Sequence, residues 1–384
     1  MKTNLNSCEL IFFDFIGTYG GAQQSTVTLL NKILSDYSDQ ITPHFIAVKG
    51  TNKQFLDALS CQIHTINIKS NVNIFNIQKK YFLTFIYFFV CIIKISKLLR
   101  KYKNKKLIFL CNSPKALLIL SILKIFNKIN LVYYCRGWGR KQSFNRVVRF
   151  LLNFSVDKIL CVSNETSDNL KNFIVKKNKI YVTYTSVKLE ELDKFYFKKN
   201  FDLNDIKILF AGAIIPLKGL HLLINAISDL PNIYKDKITL LIAGKDEENT
   251  DYISKCKELC KTIKDQVQWL GWRNDIPYLI SQIDLVCLPS FSEGMPRIVQ
   301  EGMYMGKVVI ATPVGGVPTL IENKVNGYII ELDSSKSIRD SIIDLFDTNN
   351  FEKIGLRSRD FIKSNFSLDI QVGYVLEALN DENK

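Results

Sequence analysis

Residues 283–312 read IDLVCLPSFSEGMPRIVQEGMYMGKVVIAT. An apolar run, IDLVCLPS, has the composition of a buried strand; the loop FSEGM follows; a mostly apolar helical stretch comes next, and KVVIAT returns as a second strand. Strand, loop, helix and strand in so short a span form a βαβ unit, whose two strands pair parallel because the helix carries the chain back. The same alternation extends in both directions. IKILFAG, ITLLIAG, QVQWLG and NGYII belong with it in the second half of the chain, and ELIFFDF, ITPHFIAV, KLIFLC, INLVYYC and KILCVS make a second series in the first half. Parallel sheets covered on both faces by helices follow.

Between the two series lies YTSVKLEELDKFYFKKNFDLN, residues 184–204, mixed in charge and without clean periodicity. With a linker there, the 384 residues divide into two α/β domains, each doubly wound. The expected boundaries are 1–188 for a first, basic domain and 189–364 for a second, with 365–384 a helix packing back on the first. Two such domains facing across a cleft would bind ligands at their strand carboxyl ends.

Net charge is +14, unevenly spread. Residues 1–190 hold 28 Lys and Arg against 9 Asp and Glu, a net +19, while the remainder nets −5. A basic half points to a polyanionic partner: nucleic acid, a phosphorylated substrate or anionic lipid. Nucleic acid is disfavoured, since no binding motif interleaves the lysines with stacking aromatics. The nine cysteines are odd in number and form no C-x-x-C pair, as expected of reduced core thiols in a cytosolic protein. The opening MKTNLNSCELIFFDF offers no small-residue cleavage site and reads as a first strand, not a secretory signal. YFLTFIYFFVCIIKISKLL, residues 81–99, approaches the length of a membrane span, but its apolar run breaks at Lys94 and the alternation requires a packed helix there. Arg100, Lys101, Lys103, Lys105 and Lys106 follow it, a composition that suits contact with an anionic membrane surface.

Three constellations carry chemistry. In the first, Pro296 fits the first turn of a helix, and the free amides of Gly294, Met295 and Arg297 would form an anion site reinforced by the helix dipole. Glu293 and Glu301 flank that turn, eight positions apart and so on broadly one side of it. A carboxylate suits the vicinal hydroxyls of ribose or sugar, because its two oxygens accept two hydroxyl protons. In the second, ILFAGAIIPLKGLHLLINAI (208–227) runs a strand into Gly212 and opens a helix at Lys218-Gly219, placing a cation where a diphosphate leaving group gains charge. In the third, Gly17, Gly20 and Gly21 separate the first strand from the first helix, where glycine lets backbone amides approach a ligand.

Together these residues resemble retaining glycosyltransferases of the GT-B fold, specifically glycosyltransferase family four (glycosyl transferases group 1). That family carries an E-x7-E element, here Glu293 to Glu301, followed by a segment that here reads GKVVIATPVGG. The strong resemblance covers residues 206–330. It implies that Glu293 contacts the donor sugar, Glu301 holds the ribose and Lys218 binds the diphosphate. Gly271, Trp272 and Arg273 would lie near the base. It also implies a reaction without a metal or other cofactor, and no D-x-D triplet occurs here. Two departures stand out. Ala213 occupies the place where the family often has a phosphate-loop arginine, so one diphosphate cation is missing or supplied elsewhere, with Arg297 and Arg136 the candidates to compensate. The family's N-domain histidine has no clear counterpart, since His44 and His64 fall in or near strands and read as structural. Arg136, in YYCRGWGRK (133–141), is the better acceptor-side candidate.

The expected function is retaining transfer of a sugar from a UDP- or GDP-sugar to a saccharide acceptor carried on a lipid diphosphate, as in bacterial surface polysaccharide assembly. The chain would work in the cytoplasm at the inner face of the plasma membrane. A soluble acceptor is the alternative within the class, and a membrane-associated nucleotide-sugar-binding protein without transfer activity the alternative outside it. A glycoside hydrolase would also use two carboxylates but has no use for Lys218. Sugar, base and acceptor identity are not encoded in any motif present.

Overall fold

A computed structural model describes residues 8–17, 19–66, 81–137, 144–197, 201–245 and 250–381. They form two compact units, one of residues up to Thr185 together with Leu368 onward, the other Ser186–Ser367. The first runs β1 (Cys8–Phe13), α1 (Gly21–Tyr37), β2 (Ile41–Val48), α2 (Lys53–Asp57), β3 (Gln62–Ile66), α3 (Tyr81–Leu99), β4 (Lys106–Cys111), α4 (Pro114–Phe126), β5 (Asn130–Cys135), α5 (Arg146–Phe154), β6 (Lys158–Cys161), α6 (Asn164–Lys171) and β7 (Ile180–Val182). The second begins with α7 (Leu189–Asp193), β8 (Ile206–Ala211), α8 (Leu220–Ser228), α9 (Asn232–Lys235), β9 (Ile238–Ala243), α10 (Thr250–Leu259) and β10 (Val267–Gly271). It continues with α11 (Ile276–Ser281), β11 (Leu285–Leu288), α12 (Arg297–Tyr304), β12 (Val308–Ala311), α13 (Val317–Leu320), β13 (Tyr328–Ile329), α14 (Ser335–Thr348) and α15 (Phe351–Asn365). The last helix, α16 (Leu368–Asn380), belongs to the first unit.

Both sheets are parallel. The first is ordered β3-β2-β1-β4-β5-β6-β7 and the second β10-β9-β8-β11-β12-β13. In each, the chain winds outward from one strand, returns to its other side and winds the opposite way. The reversal falls between β1 and β4 in one unit and between β8 and β11 in the other, the α/β arrangement that the alternation implied. Strands buried on both faces explain why the runs are so apolar. Ile11, Phe13, Phe109, Cys111, Leu131 and Tyr133 point to one face, where α3, α4 and α5 close the core. Their neighbours Leu10, Phe12 and Leu110 are equally buried on the other, where α1 packs against α16.

Two edge strands, the mixed β3 and the three-residue β7, form without a long apolar run, because an edge needs only partial burial. The linker is not irregular throughout. It holds α7, pinned to its own unit where Asp193 accepts from Tyr304 at 2.8 Å and Arg359 at 2.9 Å. Residues 81–99 form one helix whose Tyr87, Cys91, Ile95 and Leu99, four apart, enter the core. Among the described residues no helix is long and apolar enough to cross a membrane. All nine cysteines are buried, and none forms a disulfide. α16 is held by Lys158, whose ammonium donates to the carbonyls of Ala378 (2.7 Å) and Leu379 (2.9 Å), a cation at a helix carboxyl end.

Candidate active site

In a doubly wound sheet, ligands settle outside the carboxyl ends of the strands where the order reverses. In the second unit that point lies between β8 and β11, and the loops leaving these strands contain Lys218 and Glu293. Pro216 opens a single 3₁₀ turn ending at Lys218, and Gly219 follows with φ 70°. A Cβ on Gly219 would sit 2.0 Å from the carbonyl oxygen of Pro289, at the end of β11, so only glycine permits this approach. The amide of Phe291 donates to the carbonyl of Leu217 at 2.8 Å and ties the loops together. Lys218 Nζ thereby stands 2.6 Å from Glu293 Oε1, with the lysine side chain 22% and the glutamate 9% exposed. Two residues 75 positions apart form a partly buried ion pair.

The loop carrying Glu293 is held from below by Gly315 and Gly316. Gly315 has φ 62°, and a Cβ there would lie 2.4 Å from the carbonyl oxygen of Glu293. The amide of Gly316 donates to Gly294 at 2.7 Å, and a Cβ on it would strike the sulfur of Met295. α12 starts at Arg297, with Pro296 as its cap residue instead of a first-turn residue, and no side chain caps its amides. Among the described residues the amides of Gly294, Met295 and Arg297 have no acceptor, so the start of this helix is an open anion-binding end. Glu301 is 7% exposed, not a solvated helix glutamate, and its Oε1 accepts from Arg297 Nε (3.2 Å) and Nη2 (2.9 Å). Gly302 has its own reason: a Cβ would lie 2.9 Å from Val286 Cγ2, so α12 lies close on the sheet.

Gly212 leaves β8 with open space where a side chain would be, so its own position does not demand glycine. Its neighbour across the loop does. A Cβ on Gly244 would lie 2.0 Å from the carbonyl oxygen of Gly212, and the Gly244 amide donates to Gly271 at 2.9 Å. Gly271, with φ 64°, turns the chain out of β10 and leaves Trp272 63% exposed. Arg273 makes a two-pronged contact with Asp275, Nε to Oδ1 at 2.8 Å and Nη2 to Oδ2 at 2.5 Å, and holds that carboxyl below its usual range. Ala213 is exposed. Gly244, Gly315 and Gly316 are the positions that motif reading left without roles, although each closes a strand or loop visible in the sequence.

In the first unit, Gly20 caps α1 in an extended conformation and its amide donates to Gln23 Oε1 at 3.1 Å. Gly21 is the first helical residue, and neither position requires a left-handed backbone. Arg136 follows β5, lies over the Tyr134 ring (4.6 Å) and donates through Nη1 to the Ala22 carbonyl and to Thr26 Oγ1, bracing the first turn of α1. The loop beyond it, residues 138–143, lies outside the described residues. At the sheet's reversal Asp14 is buried and accepts from the amides of Phe15 (2.8 Å) and Asn112 (3.1 Å), joining the loops after β1 and β4; burial pushes its carboxyl up. His44 sits at the other end of the strands, 2.5 Å from buried Glu9, with His64 and Tyr102 beyond it. Burial pushes the Glu9 carboxyl up, but its contacts with Lys105 and His44 outweigh this and hold it low. Lys105 is therefore an internal partner of Glu9 as well as one of the exposed lysines after α3.

Residues 193–359 match the family model described as glycosyl transferases group 1. An uncharacterized glycosyltransferase of Methanocaldococcus jannaschii is 25% identical over 277 residues, covering 70% of this chain and 66% of its own. The UDP-Gal:alpha-D-GlcNAc-diphosphoundecaprenol alpha-1,3-galactosyltransferase of Escherichia coli is 24% identical over 242 residues, covering 60% of this chain and 62% of its own. The chain thus spans about two thirds of the length of these relatives. The crystal structure of Anabaena Alr3699/HepE in complex with UDP has the same fold, with a TM-score of 0.77 over 97% of this chain and 99% of that one at 20% identity.

Proposed function

We propose, from the membership of residues 193–359 in the glycosyl transferases group 1 family, that the chain is a retaining glycosyltransferase moving a sugar from a UDP- or GDP-sugar to a saccharide carried on a lipid diphosphate. The observation that carries this reading is the Lys218–Glu293 pair at the reversal point of the second sheet, beside the open start of α12. A cation next to unsatisfied amides suits a diphosphate, whose charge rises as the sugar departs.

In this reading Lys218 and the amides of Gly294, Met295 and Arg297 take the diphosphate. Glu293 exchanges its lysine for hydroxyls of the donor sugar. Glu301, oriented by Arg297, accepts the two ribose hydroxyl protons, and the exposed Trp272 offers a face to the base, with Arg273 beside it. Binding energy at the nucleotide then positions the anomeric carbon, and the stabilised leaving group lowers the barrier. With Arg297 engaged by Glu301 and Arg136 by α1, Lys218 is the principal side-chain cation for the phosphates. Arg136 serves the acceptor side by holding α1. No metal or other cofactor is assigned a step.

A lipid-linked acceptor is supported by the +19 balance of residues 1–190 and by the name of the E. coli relative, whose acceptor is a diphosphoundecaprenol. It places the enzyme at the inner face of the plasma membrane in surface polysaccharide assembly. The test is release of UDP or GDP from a panel of nucleotide sugars, with and without a polyprenyl-diphosphate saccharide. Release stimulated by that acceptor is expected. Stimulation only by soluble sugars would reassign the acceptor, and no release with any donor would overturn the reading.

A further inference from the structure

We propose that the outer face of α4 and α5 is a docking surface that inserts apolar side chains into an anionic lipid bilayer. The inference rests on the membrane-facing reading above and moves the contact from the lysines after α3 to a different part of the unit.

α5 buries Val148, Leu151 and Leu152 and turns Val147, Phe150 and Phe154 outward, 56%, 58% and 73% exposed. The last two rings lie against each other, their centroids 4.7 Å apart and their planes tilted by 37°. At the end of α4, Ile125 and Phe126 are 75% and 78% exposed, and after α6 Val175 is 79% exposed. These residues adjoin one another. Lys124 donates to the carbonyl of Ser155 at 2.9 Å, bringing the end of α4 against the end of α5, and the Val175 amide donates to Asn153 at 2.8 Å. The result is a continuous apolar ridge that none of the described residues of the unit covers, and large exposed patches of this kind mark interaction sites.

The helix bearing the ridge is rigidly fixed. Buried Lys179 donates to the carbonyls of Leu152 (2.6 Å) and Asn153 (2.9 Å) in the last turn of α5 and to that of Val156 (2.9 Å) just beyond it. Val147 stands in the first turn of α5 and Phe154 is its last residue, so the ridge runs the length of the helix. A helix lying flat with apolar residues on one side is the geometry of an interfacial helix. It would bring the carboxyl-end loops of this sheet to the level of the lipid headgroups.

Charge identifies the occupant. Between Asp57 and Asp157 lie 99 residues with 18 Lys and Arg and not one Asp or Glu. That stretch contains α3, α4 and α5 and every exposed residue of the ridge except Val175. Lys128, Arg146, Lys176 and Lys177 surround the ridge and are exposed. A second copy of this chain would meet these cations with its own, which disfavours self-association through the face. An anionic bilayer supplies both an apolar phase for the rings and counter-charge for the cations.

The experiment is flotation of the full chain with vesicles of phosphatidylglycerol and phosphatidylethanolamine, and with phosphatidylcholine vesicles, across a salt series. The parent is compared with F150S/F154S and with K128Q/K176Q/K177Q. The ridge residues are exposed, so the serine variant should keep the parent's melting temperature and its donor hydrolysis in solution. Its partitioning into the anionic vesicles should fall at least about tenfold, since two phenylalanines no longer enter the interface. The glutamine variant should lose mainly the salt-sensitive part of binding. Equal flotation of F150S/F154S and parent overturns the docking face while leaving the membrane reading intact. Failure of the parent to float overturns both. A lipid-free dimer that the serine variant abolishes also overturns it and assigns the face to self-association.

Discussion

Replacing Lys218 with methionine keeps most of the apolar stem and deletes the ammonium. The Glu293 carboxylate, 9% exposed, then loses a cation at 2.6 Å. Removing one partner of a fully buried pair costs about 3–5 kcal/mol, but the lysine is 22% exposed and water screens part of the loss. About 2 kcal/mol is the resulting expectation, in line with a charge-assisted hydrogen bond. For a unit of this size that lowers the melting temperature by about 4–8 °C. Adding Glu293→Gln removes the stranded charge and should restore most of the stability. Nucleotide affinity behaves differently, because the lysine is assigned to the diphosphate. UDP or GDP, measured by titration calorimetry, should bind about 10–100-fold more weakly to Lys218→Met, and the second change should not repair this. The double-mutant cycle thus separates what the pair does for the fold from what the lysine does for the ligand. Zero coupling in the melts would show that the side chains are not paired. Recovery of nucleotide affinity in the double variant would remove Lys218 from the diphosphate site.

Glu301→Gln should weaken UDP or GDP binding about 10–30-fold, while Glu293→Gln depresses turnover more than affinity; kinetics on folded variants check both, and full activity in either withdraws its role. Gly244→Ala should destabilise the second unit by several kcal/mol on an order-of-magnitude scale, because its Cβ would lie 2.0 Å from a backbone oxygen, whereas Gly212→Ala, with open space at the Cβ, should melt within about 1 kcal/mol of the parent. Burial, with Lys176 and Lys124 adding to it, lowers the Lys179 ammonium from 10.5 to about 8. The unfolded chain then binds the extra proton between those values, so this group makes stability rise with pH from about 8 to 10.5, by roughly 3 kcal/mol in all; denaturant melts of parent and Lys179→Met should diverge over that window, and parallel curves would refute it. Turnover is expected to survive chelation of divalent ions, and loss that magnesium or manganese restores would contradict the assignment of charge stabilisation to Lys218 and backbone amides.

Residue order alone determined the fold class and the division into two parallel α/β series, because a strand buried on both faces must be apolar throughout and a parallel return must pass through a helix. It also singled out Glu293 and Lys218, each next to a glycine at a strand-to-helix turn, and Glu301, inside the helix that follows Glu293. Those are local properties, recorded within a dozen residues. The edge strands β3 and β7 escaped because partial burial demands no such run; Gln62, Ile63 and Thr65 of β3 are exposed. Which loops meet was decided only by the tertiary structure. Lys218 finds Glu293 because β8 and β11 are neighbours, and strand order is not written in periodicity. The need for glycine at 219, 244 and 315 likewise comes from backbone atoms of distant segments. Arg136 and Lys179 acquire their partners in the same way, from helices packed beside them. A sequence pattern reports which side of an element avoids water, whereas the partner it turns toward depends on how strands are ordered and helices laid across them.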